Sequence, residues 1–181
     1  MTTEAPISVG IFDGFSWIRC EGKGSFMNSP VIKAFGDERI AAGERCLAVD
    51  LASCTGMDST FMGTLAGMAS RLSAQDGGVL QIAEAGDRNR RSLEDLGLDF
   101  LMEIDPPEAR WKHDITRIRA NLRAPQTPPA PGQVQRTQHV LEAHQILSEA
   151  NDKNAKVFSN VVTMLEDELA EKQKLAQSAK K

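Results

Sequence analysis

The residues with the most chemical content are Asp58, Ser59 and Thr60, within AVDLASCTGMDSTFMGTLAGM at residues 48–68. A short apolar run ends at Asp50. A loop follows with Cys54 and Met57 as its apolar anchors, and Asp-Ser-Thr stands where a helical pattern begins. A helix N-terminus has unpaired N–H groups and a partial positive charge, so it accommodates an anion. A phosphate on Ser59 would meet that field, although the dipole contributes only about 0.3–1 kcal/mol at a surface site. The larger effect would fall on a binding partner. Phosphoserine adds roughly 1.5–2 negative charges, here beside Asp58, and a protein that buries this loop must desolvate or repel them. The same residues also suit plain capping, with Asp58 as N-cap, Ser59 and Thr60 in the first turn, and Gly63 permitting close packing.

Other chemistry is sparse. No histidine lies in the segment to activate the serine. His113, His139 and His144 are not spaced at i, i+3 or i+4, so no helix face offers a shared metal site. Cys20, Cys46 and Cys54 match no metal motif and sit among apolar residues, as small buried hydrophobes do. There is no Gly-rich phosphate-cradling motif. No enzyme activity, cofactor or metal is expected. A net charge of −4 argues against nucleic acid, and nine Phe and Trp with no Tyr leave few platforms for stacking bases. The basic residues Arg110, Lys112, Arg117, Arg119 and Arg123 are interspersed with acids and read as a solvated face; Arg88, Arg90 and Arg91, opening a helix, read the same way or as partners for carboxylates.

The loop needs a scaffold, and the pattern from 1 to 123 supplies one. ISVGIF and FSWIRCEG flank Asp13-Gly14, a hairpin signal that predicts a type I′ turn. Ser29-Pro30 opens a helix carrying Val31, Ile32, Phe35 and Ile40, with serine as N-cap. CLAVD at 46–50 and VLQIA at 79–83 are continuous apolar runs and predict strands buried on both faces, in the middle of a sheet. Helices are expected at 59–75 and 87–96, and a last short strand at 101–104. The order β-β-α-β-α-β-α-β predicts an α/β fold, a mixed sheet with helices packed on it.

This layout, with VDLASCTGMDSTFMGTL, resembles a STAS domain of the kind found in bacterial anti-sigma-factor antagonists. Asp50, Leu51, Asp58, Ser59, Thr60 and Gly63 fit the family's pattern of a buried strand ending in Asp-Leu, a loop, then Asp-Ser-Ser/Thr and a glycine. NRRSLEDLGLDFLMEID at 89–105 resembles its third helix and last strand, so the likeness covers about residues 7–105. It implies a partner-switching regulator in which Ser59 is phosphorylated by a kinase-type anti-sigma factor and dephosphorylated by a protein phosphatase. It also implies that Asp58, Ser59, Thr60, Phe61, Met62 and Gly63 belong to the partner-docking face. Phe61 stands where the family usually has glycine, which would make that face bulkier.

Residues 106–181 have no counterpart in the minimal members. APQTPPAPGQV at 124–134 holds four prolines and predicts a stiff linker reaching on the order of 30 Å. Residues 135–181 lack Gly and Pro and predict a helical or coiled-coil arm. Val140, His144, Leu147, Asn151, Asn154, Phe158, Val161, Leu165, Glu168, Lys172 and Leu175 follow a heptad rhythm. A continuous helix over 137–179, on the order of 60 Å long, would dimerise or dock a partner through residues 140–175. The alternatives are a hairpin turning at Asn151–Asn154 and an arm folded back on its own domain. No apolar run reaches the roughly 18 residues of a membrane span, and MTTEAPISVG is not a signal peptide, so a cytoplasmic protein is expected. The second function class is a scaffold, unphosphorylated, in which Ser59 only caps a helix and the arm sets the oligomer.

Overall fold

The computed structural model describes residues 6–181, so the N-terminal five residues of MTTEAPISVG lie outside the described residues. In chain order the elements are β1 (Ile7–Phe12), β2 (Phe15–Cys20), β3 (Gly22–Gly24), α1 (Ser29–Ala41), β4 (Cys46–Asp50), β5 (Cys54–Met57), α2 (Ser59–Ser73), β6 (Val79–Ala83), α3 (Gly86–Asp95), β7 (Glu103–Ile104), α4 (Ile115–Ala120), α5 (Gln133–Ala150) and α6 (Asp152–Ser178). The five-stranded sheet runs β1-β2-β4-β6-β7. Only β1 and β2 are antiparallel; the other pairings are parallel. This is the expected mixed sheet, with CLAVD and VLQIA inside it. Both runs are apolar on successive residues because both sheet faces are covered.

The hairpin turns at Asp13-Gly14, but only Gly14 takes a positive φ, at 83°. A type I′ turn needs positive φ at both central residues, so the expected turn type is corrected. Helix α1 starts at Ser29 with Asn28 as N-cap, one residue before the expected cap. The expected strand at 101–104 is shortened to Glu103–Ile104, because the amides of Leu101 and Met102 donate back to the Leu98 carbonyl and prolong the 3₁₀ turn of Leu98–Phe100.

One sheet face carries the main core, where Ile18, Leu47, Val49, Leu65, Leu72, Leu80, Ile82 and Leu93 are buried beneath the helices. The opposite face is closed by residues beyond the expected strands. Ala109, Trp111 and Ile118 cover Phe15, Trp17, Ala48 and Ala83, with the two tryptophan rings edge to face at 5.4 Å. Arg119 is therefore not on a solvated face. Its Nε and Nη2 donate to Asp50 at 2.8 and 3.0 Å, and Nη2 also donates to Glu84. Asp50 itself is 0% exposed. Burial raises the Cys46 thiol to about 11, which keeps it protonated at neutral pH.

The C-terminal region departs from a continuous helix. Asn151 is extended (φ −165°, ψ 168°) and breaks it, and its side chain accepts from Asn154 N to cap α6. Polar SEANDKNAK offers this cap where an uninterrupted seam would need apolar residues. The two helices form an antiparallel hairpin, as Lys172 of α6 donating to Thr137 of α5 shows. Asn151 and Asn154 both donate to the Leu96 carbonyl, pinning the hairpin turn against the end of α3. Ala143, His144 and Leu147 of α5 are buried and face the domain, while Thr137 meets α6. Among the described residues no helix is long and apolar enough to cross a membrane.

Candidate functional site

The site is assembled where β3 and β5 end. These short strands, too brief for a sequence signal, pair in parallel and bring Gly24 beside Met57. Asp58 follows directly and uses both carboxylate oxygens. Oδ1 accepts from Phe61 N at 2.8 Å, capping α2, and Oδ2 accepts from Phe26 N at 2.8 Å, holding the loop that leads into α1. Asp58 thus ties two loops together as well as capping, as its position before the helical pattern predicts.

Ser59 is the first residue of α2 and is half-buried. Its hydroxyl lies 2.9 Å from His144 Nε2 of α5, 85 positions along the chain. The tautomer follows from geometry. His144 Nδ1 is 2.7 Å from the Val140 carbonyl, which only accepts, so Nδ1 carries the proton. In the neutral ring Nε2 then accepts, and Ser59 Oγ–H donates to it. His144 is 6% exposed and packs edge to face on Phe158, which fixes the ring. Sequence reasoning placed His144 on a self-association seam and missed this contact. A polar histidine recurring within an apolar stripe was the available signal.

The other expected residues of this face divide by burial. Thr60, Phe61, Met62 and Gly63 are all buried within the chain. Phe61 is 0% exposed, and a Cβ on Gly24 would come within 2.9 Å of its ring. It fills the space under β3 and adds no bulk to the surface. Gly63 carries no side chain because α5 lies against it; a Cβ there would collide with the Ala143 carbonyl. On the exposed side, Phe26 and Met27 project from the loop tied to Asp58, at 55% and 77% exposure. Of the arginines opening α3, Arg90 pairs with Asp105 at 3.1 Å, while Arg88 is exposed and lies over Gly56 of the loop. Among the described residues there is no group of three or more His, Cys, Asp or Glu side chains able to hold a metal.

A second histidine also anchors α5. His139 Nε2 is 2.7 Å from the hydroxyl of Ser29, the first residue of α1. Burial, and secondarily the Lys33 ammonium, lower His139 below its ordinary 6.5, with Glu142 opposing. An α5 free of the domain would return it to that ordinary value. Between the lowered value and 6.5 the free form binds more protons, so seating of α5 is constant above about pH 6.5 and weakens below it. Hydrogen exchange of the α5 amides, corrected for intrinsic rates, should show less protection at about pH 5.5 than at about pH 7.5. His139→Gln should reduce the difference.

The family profile for the STAS domain matches residues 6–110. No curated protein sequence matches the chain. Among solved structures, the Thermotoga maritima protein TM1081 is 18% identical with a TM-score of 0.51, covering 62% of this chain and 94% of that one. The anti-sigma factor antagonist SpoIIAA in its unphosphorylated form is 18% identical, TM-score 0.48, covering 62% and 97%. An anti-sigma factor antagonist from Mycobacterium paratuberculosis is 20% identical, TM-score 0.48, covering 62% and 92%. The β-sheet core, the loop ending in Asp58-Ser59 and the family match over residues 6–110 lead to one statement: the chain belongs to the STAS-domain family.

Proposed function

We propose that this protein is a partner-switching regulator of the anti-sigma-factor-antagonist kind, controlled by reversible phosphorylation of Ser59. The observation that carries the reading is the placement of a half-buried serine at the first position of α2, after the Asp58 cap and on the rim of a surface bearing exposed Phe26 and Met27. Unphosphorylated, the protein binds a kinase-type anti-sigma factor through the face around Asp58, Ser59 and Thr60 and the loop beside them. The kinase moves the γ-phosphoryl group of a nucleoside triphosphate to Ser59 Oγ. The Oγ–P bond forms, the P–O bond to the nucleoside diphosphate breaks, and the hydroxyl proton leaves to a base. A protein phosphatase reverses this with water. The added charge sits beside Asp58 and repels the partner. Couplings of this kind run to roughly 5–150-fold in affinity.

Phosphopeptide mapping of the protein from its own cells tests this, with Ser59→Ala as control. Phosphate on Ser59 that vanishes in the variant supports the switch. Unmodified Ser59 in growth and in stress overturns it and favours the scaffold. One observation supports that second reading: Val157, Val161 and Met164 are exposed along α6 at 4- and 3-residue steps, and Leu175 is exposed on the same side about three turns further on. In the scaffold a second copy would pack there, and sedimentation would show a concentration-dependent oligomer.

A further inference from the structure

Helix α5 lies on the α2 surface in backbone contact. Gly63 and Gly67, one helical turn apart, leave room for it, and a Cβ on Gly67 would come within 2.9 Å of Ile146 Cδ1. Leu147, 0% exposed, anchors α5 in the main core. Its two histidines end on the hydroxyls that open the two helices, His139 on Ser29 and His144 on Ser59. We infer that α5 is a built-in mask, which competes with protein partners for Ser59 and the α2 surface, and that a phosphate on Ser59 and a seated α5 exclude each other. The inference rests on the reading of Ser59 as the phosphate acceptor and concerns how that acceptor is reached.

The exclusion is geometric. The phosphoryl group would occupy the space beside Ser59 Oγ that His144 Nε2 holds at 2.9 Å. The imidazole is held in this orientation, because Nδ1 is bonded to the Val140 carbonyl of its own helix and the ring is packed on Phe158. Making room requires α5 to move as a unit. The α2 side of the contact suits such release. Directly under Ala143 and Ile146 it offers Gly63, Thr64 and Gly67, which present little apolar side chain, so the cost of release falls mainly on Leu147 and the core residues around it. The Pro-containing segment 124–132 has no regular secondary structure, so it keeps a released hairpin near its seat at high effective concentration. A protein partner that takes the seat must bring an equally small residue where Ala143 now meets Gly63.

The test uses the full chain as wild type, Ala143→Glu and His144→Ala, expressed in the protein's own cells. Glutamate at 143 has no room against Gly63, and alanine at 144 removes the group on Ser59. Hydrogen exchange of the α5 amides reports release. The near-ultraviolet circular dichroism of the Trp17–Trp111 pair, on the far face of the sheet, reports that the domain stays folded. With the mask, Ser59 gains phosphate at least about fivefold faster in Ala143→Glu than in wild type, and faster also in His144→Ala. Equal rates in all three, with α5 released in Ala143→Glu, overturn the mask and leave Ser59 as the acceptor. No phosphate on Ser59 in any of the three overturns both. Ile146→Glu keeps the inference open to refutation where Ala143→Glu fails to fold. A charge set against Gly67 and the apolar residues beside it should speed both exchange in α5 and phosphate gain on Ser59 severalfold, and faster exchange with a wild-type rate of phosphate gain overturns the mask.

Discussion

Arg119→Met lowers the stability of the domain by about 3–5 kcal/mol, because it strips the buried Asp50 carboxylate of two charge-assisted hydrogen bonds. Asp50 ends β4, is 0% exposed, and receives two charge-assisted bonds from Arg119; without them it keeps the Ala52 amide at 3.1 Å and the Arg19 guanidinium at 3.9 Å. The ion pair joins α4 to the sheet across 69 positions and so also holds the lid over Trp17. For a chain of this size the loss corresponds to a fall in Tm of roughly 6–20 °C, read by thermal or urea unfolding. The partner variant decides the cause. Removing both charges in Asp50→Leu with Arg119→Met should recover most of the loss, since an apolar pair carries no desolvation cost. An equally unstable double variant would mean that Arg119 acts through packing of its stem.

Local signals made the central part of the fold legible. Asp13-Gly14 marked the hairpin, and CLAVD and VLQIA marked strands covered on both faces, because burial on two sides removes the alternation of polar residues. Asp58 announced the start of α2 since a side-chain acceptor there has one obvious donor set, the free amides of the first turn. What stayed hidden depends on residues far apart in sequence. GKG and CTGM are too short to carry a period, yet their pairing positions the loop. Arg119 looked solvated because its counter-charge is 69 residues away. The heptad rhythm of the arm reflected a real apolar side, but periodicity tells which residues turn inward and not which surface they meet. Here α5 meets α2 of the same chain, and His144 of that rhythm ends on Ser59. Paired glycines at 63 and 67 were the counterpart signal, a helix face shaved for a neighbour.

Phe61→Ala is expected to cost about 3–5 kcal/mol, the usual range for emptying a buried phenylalanine site. The family resemblance put glycine at this position, so the ring was expected to thicken the docking surface. It points the other way. Phe61 is 0% exposed, and its ring lies so close to Gly24 that a methyl group there would strike it. Deleting the ring opens a cavity between β3 and α2, and the backbone cannot close it without moving Asp58. That carboxylate holds Phe61 N with one oxygen and Phe26 N with the other, so the first turn of α2 and the loop into α1 loosen together. Two readouts follow from one change: a lower unfolding midpoint, and faster amide exchange in both segments at once. Phe26→Ala provides the contrast. Its ring is 55% exposed, so stability should move by no more than about 0.5 kcal/mol, while any partner seated on that loop would lose an aromatic contact. A Phe61→Ala protein as stable as wild type would return the ring to the surface role. A large loss for Phe61 with little for Phe26 assigns the inner aromatic to the fold and leaves the outer one free to meet a partner.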